Sequence, residues 1–213
     1  AVPTVPVACL RLPGSGESWW SKTPWNHRVD FLLSTSPCCL SGQLSTGAWR
    51  TDLSKHSVAQ TELIPVAKKD VIAPLDHPKF VSSAEASSWL DAKEPVIVVD
   101  LNGEARAYPL QILIWHLMVN DQIGETPILV SYSVFANDPV VFDRRIGGTT
   151  HEFGFSGMVR DSNSVLFDRQ TESLWQQLTG RAIVGSLTGT GLPVLNSQIT
   201  PFDVFRETYP NGK

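Results

Sequence analysis

A hairpin signal in the middle of the chain constrains the fold more than any other feature. The run PVIVVDL over residues 95–101 is typical of a strand, and residues 104–108 form a second strand-like run. Only Asn102 and Gly103 separate the two runs, and this dipeptide favours the two-residue type I′ turn. The pattern therefore predicts two antiparallel neighbours joined by a tight turn.

Further strand and helix signals follow on both sides of the hairpin. Strands are predicted over 128–132, 140–144, 151–156, 165–168 and 181–185. A short helix capped by Ser82 or Ser83, a buried helix over 110–118 and a terminal helix after Pro201 complete the set. Strands joined by hairpins with few helices predict an α+β class: a mainly antiparallel, β-rich single domain.

Composition excludes two broad classes of protein. The chain has 213 residues and 42% hydrophobic composition, which is enough for one well-buried core. Its formal net charge of -4 argues against a nucleic-acid binder, which needs excess Lys and Arg. The longest apolar segment, 110–119, is too short for a bilayer span, so a soluble protein is expected.

Residues 1–48 differ from the rest and are predicted to form an extended N-terminal arm before a globular domain over 49–213. The arm contains five prolines and three tryptophans, Trp19, Trp20 and Trp25, without a sustained strand or helix period. Such apolar anchors should lie against a surface, either the domain itself or a protein partner. The three tryptophans are therefore the candidate partner-binding residues.

The cysteines and the first residue bear on the compartment. Cys9, Cys38 and Cys39 are an odd number of thiols, and free or half-buried thiols are the simplest interpretation. A bridge from Cys9 to one of the adjacent pair stays open if the compartment is oxidising. The start at Ala1 indicates a removed leader or a trimmed chain. Both observations favour a secreted, extracytoplasmic or organellar protein over a cytosolic one.

Six segments resemble a known family. They are WRTDLSKHSV (49–58), LDHPKFV (75–81), GEARAYPL (103–110), IWHLMVND (114–121), VFDR (141–144) and FDRQTESLWQQ (167–177). In order and spacing they are similar to the uncharacterised family called domain of unknown function 3179, over residues 49–213. The resemblance implies no established reaction.

The resemblance also implies one departure from the family pattern. Members typically carry Cys-x-x-Cys, a spacing that can hold a soft metal or cycle as a dithiol, where this chain has Ser133 and Ala136. Neither residue can replace a thiolate. The loss is either natural or engineered, and if the family's chemistry needs the two sulfurs, this member lacks it.

Two histidines are the remaining candidates for metal chemistry. His116 lies in an apolar segment, where a core histidine bonded to a backbone carbonyl is the favoured interpretation and a metal ligand the alternative. His56 is a second candidate ligand because it lies in a family segment, and Asp121 could complete the set. His151 is expected at an edge or surface.

Other carboxylates have simpler roles in this interpretation. Asp143 beside Arg144 and Asp168 beside Arg169 are predicted to be ion-paired strand ends.

Three functional hypotheses follow. The first is a non-catalytic binding or structural protein without a cofactor, such as an accessory subunit of a larger assembly. The second is a copper- or zinc-dependent enzyme or metal carrier that uses His56 and His116. The third is a small-ligand pocket around Trp115, Tyr132 and Trp175, although aromatic residues in a β-rich core mostly serve packing.

Overall fold

The structure is a computed structural model, and it describes residues 49–213. The predicted arm over 1–48, with its three tryptophans and three cysteines, lies outside the described residues. Within 49–213 the helices are a 3₁₀ turn (Gln60–Glu62), α1 (Ser83–Ala86), α2 (Leu110–His116) and α3 (Phe202–Thr208). None of them is long and apolar enough to cross a membrane.

The same part of the chain forms fifteen strands, most of them short. They are β1 (Ile64–Pro65), β2 (Leu75–Asp76), β3 (Pro95–Leu101), β4 (Glu104–Pro109), β5 (Met118–Ile123), β6 (Thr126–Ser133), β7 (Asp138–Asp143), β8 (Arg145–Ile146), β9 (Thr149–Thr150), β10 (Phe153–Arg160), β11 (Asn163–Asp168), β12 (Leu174–Gln176), β13 (Arg181–Val184), β14 (Val194–Leu195) and β15 (Gln198–Pro201).

Three sheets organise these strands. Sheet A has the order β1-β10-β11-β12-β13, sheet B has β14-β7-β6-β5-β2, and sheet C has β15-β3-β4. Strands β8 and β9 pair separately. Pairing is antiparallel throughout these sheets except between β2 and β5. The predicted α+β class and its mainly antiparallel character are confirmed.

The central hairpin forms as the sequence predicts. Strands β3 and β4 pair from Val96 opposite Pro109 to Leu101 opposite Glu104. Asn102 and Gly103 have φ values of 54° and 83°, the left-handed conformations that a type I′ turn requires. Residues 96–99 are buried on both faces, so β3 lies inside the molecule.

Helix α2 differs from its prediction in both length and burial. It ends at His116 because Leu117 is left-handed, with φ 61°, and Met118 already begins β5. Leu113 is its one fully buried residue, whereas the side chain of Trp115 is 76% exposed. An apolar run does not specify which of its faces is covered, and here only one face packs on the core.

Sheet B is the middle layer of the molecule. Neighbouring residues of a strand point to opposite faces, and in β6 both faces are buried. Leu129 packs with Phe153 and Trp175 of sheet A, whereas Ile128 belongs to the cluster that contains Ile97 of β3. Apolar contacts on both faces of sheet B therefore hold the three sheets together.

Candidate functional site

The loop between β6 and β7 contains Ser133 and Ala136, the two positions at which the family resemblance implies cysteines. Ser133 ends β6 and pairs with Asp138, the first residue of β7. Residues 134–137 form an exposed turn that includes Ala136, and Asn137 takes a left-handed φ of 53°. The hydroxyl of Tyr132 donates to Asn137 Oδ1 at 2.6 Å and braces the turn. The two positions therefore have different environments, one buried and one in solvent.

Ser133 connects two sheets through its hydroxyl. Its side chain is fully buried, and Oγ accepts hydrogen bonds from the backbone N and the Oγ of Ser164, at 3.2 and 3.1 Å. Ser164 lies in β11, so these bonds join sheet B to sheet A. These hydrogen bonds give Ser133 a structural role.

Four more polar residues surround this contact. Gln177 Nε2 donates to Ser131 Oγ at 3.1 Å, and Asn163 Nδ2 donates to Gln177 Oε1 at 2.7 Å. Gln176 Nε2 in turn donates to Asn163 Oδ1 at 2.7 Å. We call this group the polar cluster: Ser131, Ser133, Asn163, Ser164, Gln176 and Gln177.

The polar cluster is buried and neutral. Each of its six residues is 5% exposed or less. Hydroxyl and amide side chains do not take up or release protons near neutral pH, so the cluster contains no general acid or base. Its hydrogen bonds satisfy the buried polar atoms of two packed sheets, which is what a structural network must do.

The three candidate metal ligands lie on separate elements. His56 forms an isolated bridge with Val184 of β13, and its Nδ1 is 3.1 Å from the carbonyl oxygen of Val58. His116 ends α2 and is half-buried, with Nδ1 2.9 Å from the carbonyl oxygen of Ala73. Each imidazole is thus oriented by a backbone carbonyl of its own.

The third candidate, Asp121, is already ion-paired in β5. Its Oδ2 accepts from Arg106 Nη1 at 2.6 Å and from the Tyr108 hydroxyl at 2.7 Å. Burial and the Asp121 carboxylate raise the pKa of Tyr108 above its ordinary value, so the hydroxyl stays protonated as a donor. Across residues 49–213, no group of three or more His, Cys, Asp or Glu side chains is arranged to hold a metal ion.

A buried histidine–aspartate pair is the arrangement that sequence reasoning missed. His151 was expected at an edge or surface, but it is 6% exposed, and its Nδ1 lies 3.2 Å from Oδ1 of the fully buried Asp168. Asp168 also accepts from Thr171 N, Thr171 Oγ1 and Trp175 Nε1, at 2.7, 2.8 and 3.0 Å. The spacing Asp-x-x-Thr is a local signal for part of this network. The histidine contact is not local, because His151, just before β10, reaches Asp168 only when β10 pairs with β11.

Two predicted ion pairs have other partners. Arg169 Nη1 pairs with Asp70 Oδ2 at 2.9 Å rather than with Asp168. Asp143 pairs with Arg145, whereas the buried guanidinium of Arg144 donates to the carbonyl oxygens of Asp121 and His151. Neighbouring residues of a strand point to opposite faces, which explains why adjacent charges do not meet.

The third hypothesis, a pocket around three aromatic residues, does not match their positions. Trp175 is 1% exposed and packs edge-to-face on Phe153 in the core, with ring centroids 5.6 Å apart. Trp115 lies on the surface. The two indoles therefore do not line one pocket.

Four large apolar side chains are exposed near the Ser133 turn. Leu117 O accepts from Tyr132 N at 2.7 Å, and Met118 pairs with Ser131, so the end of α2 lies beside the end of β6. The residues just outside this contact are therefore at the same end of sheet B. We call them the apolar end: Ile114 (49% exposed), Trp115 (76%), Val134 (41%) and Phe135 (49%).

A family model described as "Protein of unknown function (DUF3179)" matches residues 69–213. The match includes the central hairpin, the polar cluster and the apolar end, and it begins after the 49–58 segment. No curated protein and no solved structure matches the chain.

Proposed function

The chain belongs to the DUF3179 family, and we propose that this member is a non-catalytic binding protein that docks a protein partner on its apolar end. The observation that carries the proposal is the exposure of Trp115, whose side chain is 76% accessible. Tryptophan is among the residues that contribute most to protein interfaces. The role is that of an accessory subunit in a larger assembly.

The neighbours of Trp115 support the proposal. Val134 and Phe135 lie on the tip of a hairpin that Tyr132 and Asn137 brace by a 2.6 Å hydrogen bond. Two elements thus present apolar side chains at one end of sheet B. Interface cores are enriched in aromatic residues, and contiguous exposed apolar patches mark interaction sites.

The chemistry of the Ser133 turn supports the non-catalytic part of the proposal. A nucleophilic serine needs a base within hydrogen-bonding distance, and the hydroxyl of Ser133 bonds Ser164 instead. The surrounding amides and hydroxyls cannot act as that base. Ala136, the second position at which the resemblance implies a cysteine, has no reactive group.

Site-specific crosslinking in the cells that make the protein tests the docking surface. A photo-reactive amino acid replaces Trp115 or Phe135, and Ile199 on β15 of sheet C is the matched control with 50% exposure. We expect Trp115 and Phe135 to yield the same crosslinked protein and Ile199 to yield none. The same label at Trp19 and Trp25 tests the predicted arm contact.

Removing the side chain of Trp115 measures its contribution to the affinity for the partner. Trp115→Ala should lower affinity for the crosslinked partner by about 2 kcal/mol, or roughly thirtyfold. The stability of the free protein should change by only about 0.5 kcal/mol, because the side chain is mostly solvated. Identical crosslinks from positions 115, 135 and 199, or unchanged affinity in Trp115→Ala, would contradict the proposal.

A further inference from the structure

An apolar cavity lies on the side of the molecule that carries sheet C. Its walls come from α1, α2, α3, β4 and the segment 75–81. The interior is formed by buried side chains of the core: Leu90, Leu113, Val119, Phe202 and Phe205. The apolar end, by contrast, is made by exposed residues of α2 and the β6–β7 loop, so the cavity is a separate feature.

The size of the cavity sets the size of a ligand. Its volume is about 140 Å³. A cavity of about 150 Å³ lined by aliphatic and aromatic side chains stays dry and admits benzene. The space therefore fits an apolar group of about six carbon atoms.

A more polar groove lies beside the cavity. The groove shares Phe80, Val81 and Lys213 with the cavity and is otherwise lined by Ser82 and residues 210–212. Polarity thus increases from the interior towards this opening. A molecule with an apolar tail and a polar head matches that gradient.

The charged side chains that line the cavity are cationic. Lys79 and Lys213 are its charged lining residues, and no acidic residue lines the cavity or the groove, although the chain has 21 acidic and 17 basic residues. Lys213 Nζ is 3.7 Å from Glu104 Oε1, but that oxygen is held more closely, at 2.8 Å, by Arg106 Nη2. Lys213 is thus only loosely paired, and it and Lys79 are the candidate contacts for an anion at the opening.

From these observations we propose that the cavity is a ligand site for a carboxylate with a short aliphatic chain. The chain fills the apolar interior, and the carboxylate lies at the opening near Lys79 and Lys213. Burial of the chain supplies most of the affinity, and the two cations select an anionic head over a neutral one. The site does not depend on the proposed protein partner.

Titration calorimetry with the full chain and a series of saturated carboxylates tests the fit. From butyrate to hexanoate, affinity should rise about fourfold for each added methylene, because each buried methylene contributes about 0.8 kcal/mol. Affinity should stop increasing between hexanoate and octanoate, when the chain fills the cavity. No binding of octanoate at millimolar concentration, or an unbroken increase through dodecanoate, would overturn the proposal.

Variants test the location and the charge. Ala107→Phe places a ring in the cavity from β4 and should abolish octanoate binding while the protein still folds. Lys79→Gln with Lys213→Gln should weaken octanoate about threefold to fivefold and leave 1-octanol unchanged, since half-exposed ion pairs contribute up to about 1 kcal/mol. Lys68→Gln, an exposed lysine that does not line the cavity, is the matched control.

The neutral alcohol decides between two kinds of occupant. If 1-octanol binds the native protein as tightly as octanoate, the site selects apolar volume alone. Its occupant would then be an apolar side chain of a protein segment, and the carboxylate proposal would be wrong. If Ala107→Phe does not fold, the comparison of octanoate with 1-octanol in the lysine variants still tests the proposal.

Discussion

The hydroxyl of Ser133 links sheet B to sheet A, and the effect of removing it on stability should be measurable. In Ser133→Ala the backbone N–H of Ser164 loses its buried acceptor. An unsatisfied buried donor costs about 1–3 kcal/mol, so we expect the free energy of unfolding in urea to fall by that amount. Ala136→Ser, at the exposed position of the same turn, should change it by no more than about 0.5 kcal/mol. Equal effects would refute a structural role for Ser133.

Glu172 should make stability depend on pH. Burial raises the pKa of Glu172, but hydrogen bonds from Arg50 and Lys69 outweigh burial, so the pKa lies below its ordinary value. Because the folded state holds this carboxylate ionised, its stabilisation is present above the ordinary pKa and is lost as pH falls through the folded pKa.

The variant Glu172→Gln isolates this effect. At pH 7 it should unfold about 1–2 kcal/mol more easily than the native protein, because hydrogen bonds to a charged group are lost. The difference should shrink as the pH is lowered through the acidic range, where the native carboxylate becomes protonated. Denaturant unfolding at several pH values measures it, with Glu125→Gln in an exposed turn as the control. A difference that does not vary with pH would show that the charge is unimportant.

At the scale of single elements, a bulge in β10 depends on glycine. The pairing of β10 with β11 shifts between Phe155 and Met158, and Gly157 lies there with φ 80°. The backbone N–H groups of Val66 and Ala67 both donate to Gly157 O, which brings the two segments together. A Cβ atom at Gly157 would overlap the carbonyl oxygen of Ala67.

Two glycine substitutions therefore differ in their expected cost. Gly103, in the central hairpin, has φ 83° and open space where its Cβ would be. Gly103→Ala should cost about 1–2 kcal/mol from backbone strain alone, whereas Gly157→Ala adds a steric overlap and should cost clearly more. Thermal unfolding of both variants compares them, and equal losses would mean that the bulge tolerates a side chain.

Some elements can be predicted from the local sequence alone, whereas others depend on tertiary contacts. The β3–β4 hairpin follows from a two-residue turn that only certain residues adopt, so its position is specified locally. The end of α2 is not specified locally, because Leu117 takes a left-handed conformation that leucine rarely adopts. Tertiary contacts, including the hydrogen bond from Tyr132 N to Leu117 O, accompany that conformation.

At the scale of the whole molecule, the features that need several elements are the ones the sequence leaves undetermined. His151 and Asp168 meet because β10 and β11 pair, and the apolar cavity needs three helices and a strand. Side-chain period predicts which residues are buried, but it does not predict which buried residues meet. The polar cluster illustrates the same limit, since Ser133 and Ser164 belong to different sheets.

Metal binding is the last property that depends on the whole arrangement. In His56 and His116 the contact at Nδ1 leaves Nε2 as a ligand atom, so each imidazole alone is compatible with a metal. A stable zinc site needs at least three protein ligands, and recruiting Asp121 through Oδ2 would compete with its bonds from Arg106 and Tyr108.

We therefore expect the purified protein to retain far less than one equivalent of copper or zinc after dialysis against either ion. Elemental analysis of the native protein, His116→Ala and His56→Ala should give the same low value, because no site depends on either imidazole. One equivalent of metal that is lost in either variant would instead establish the copper or zinc alternative.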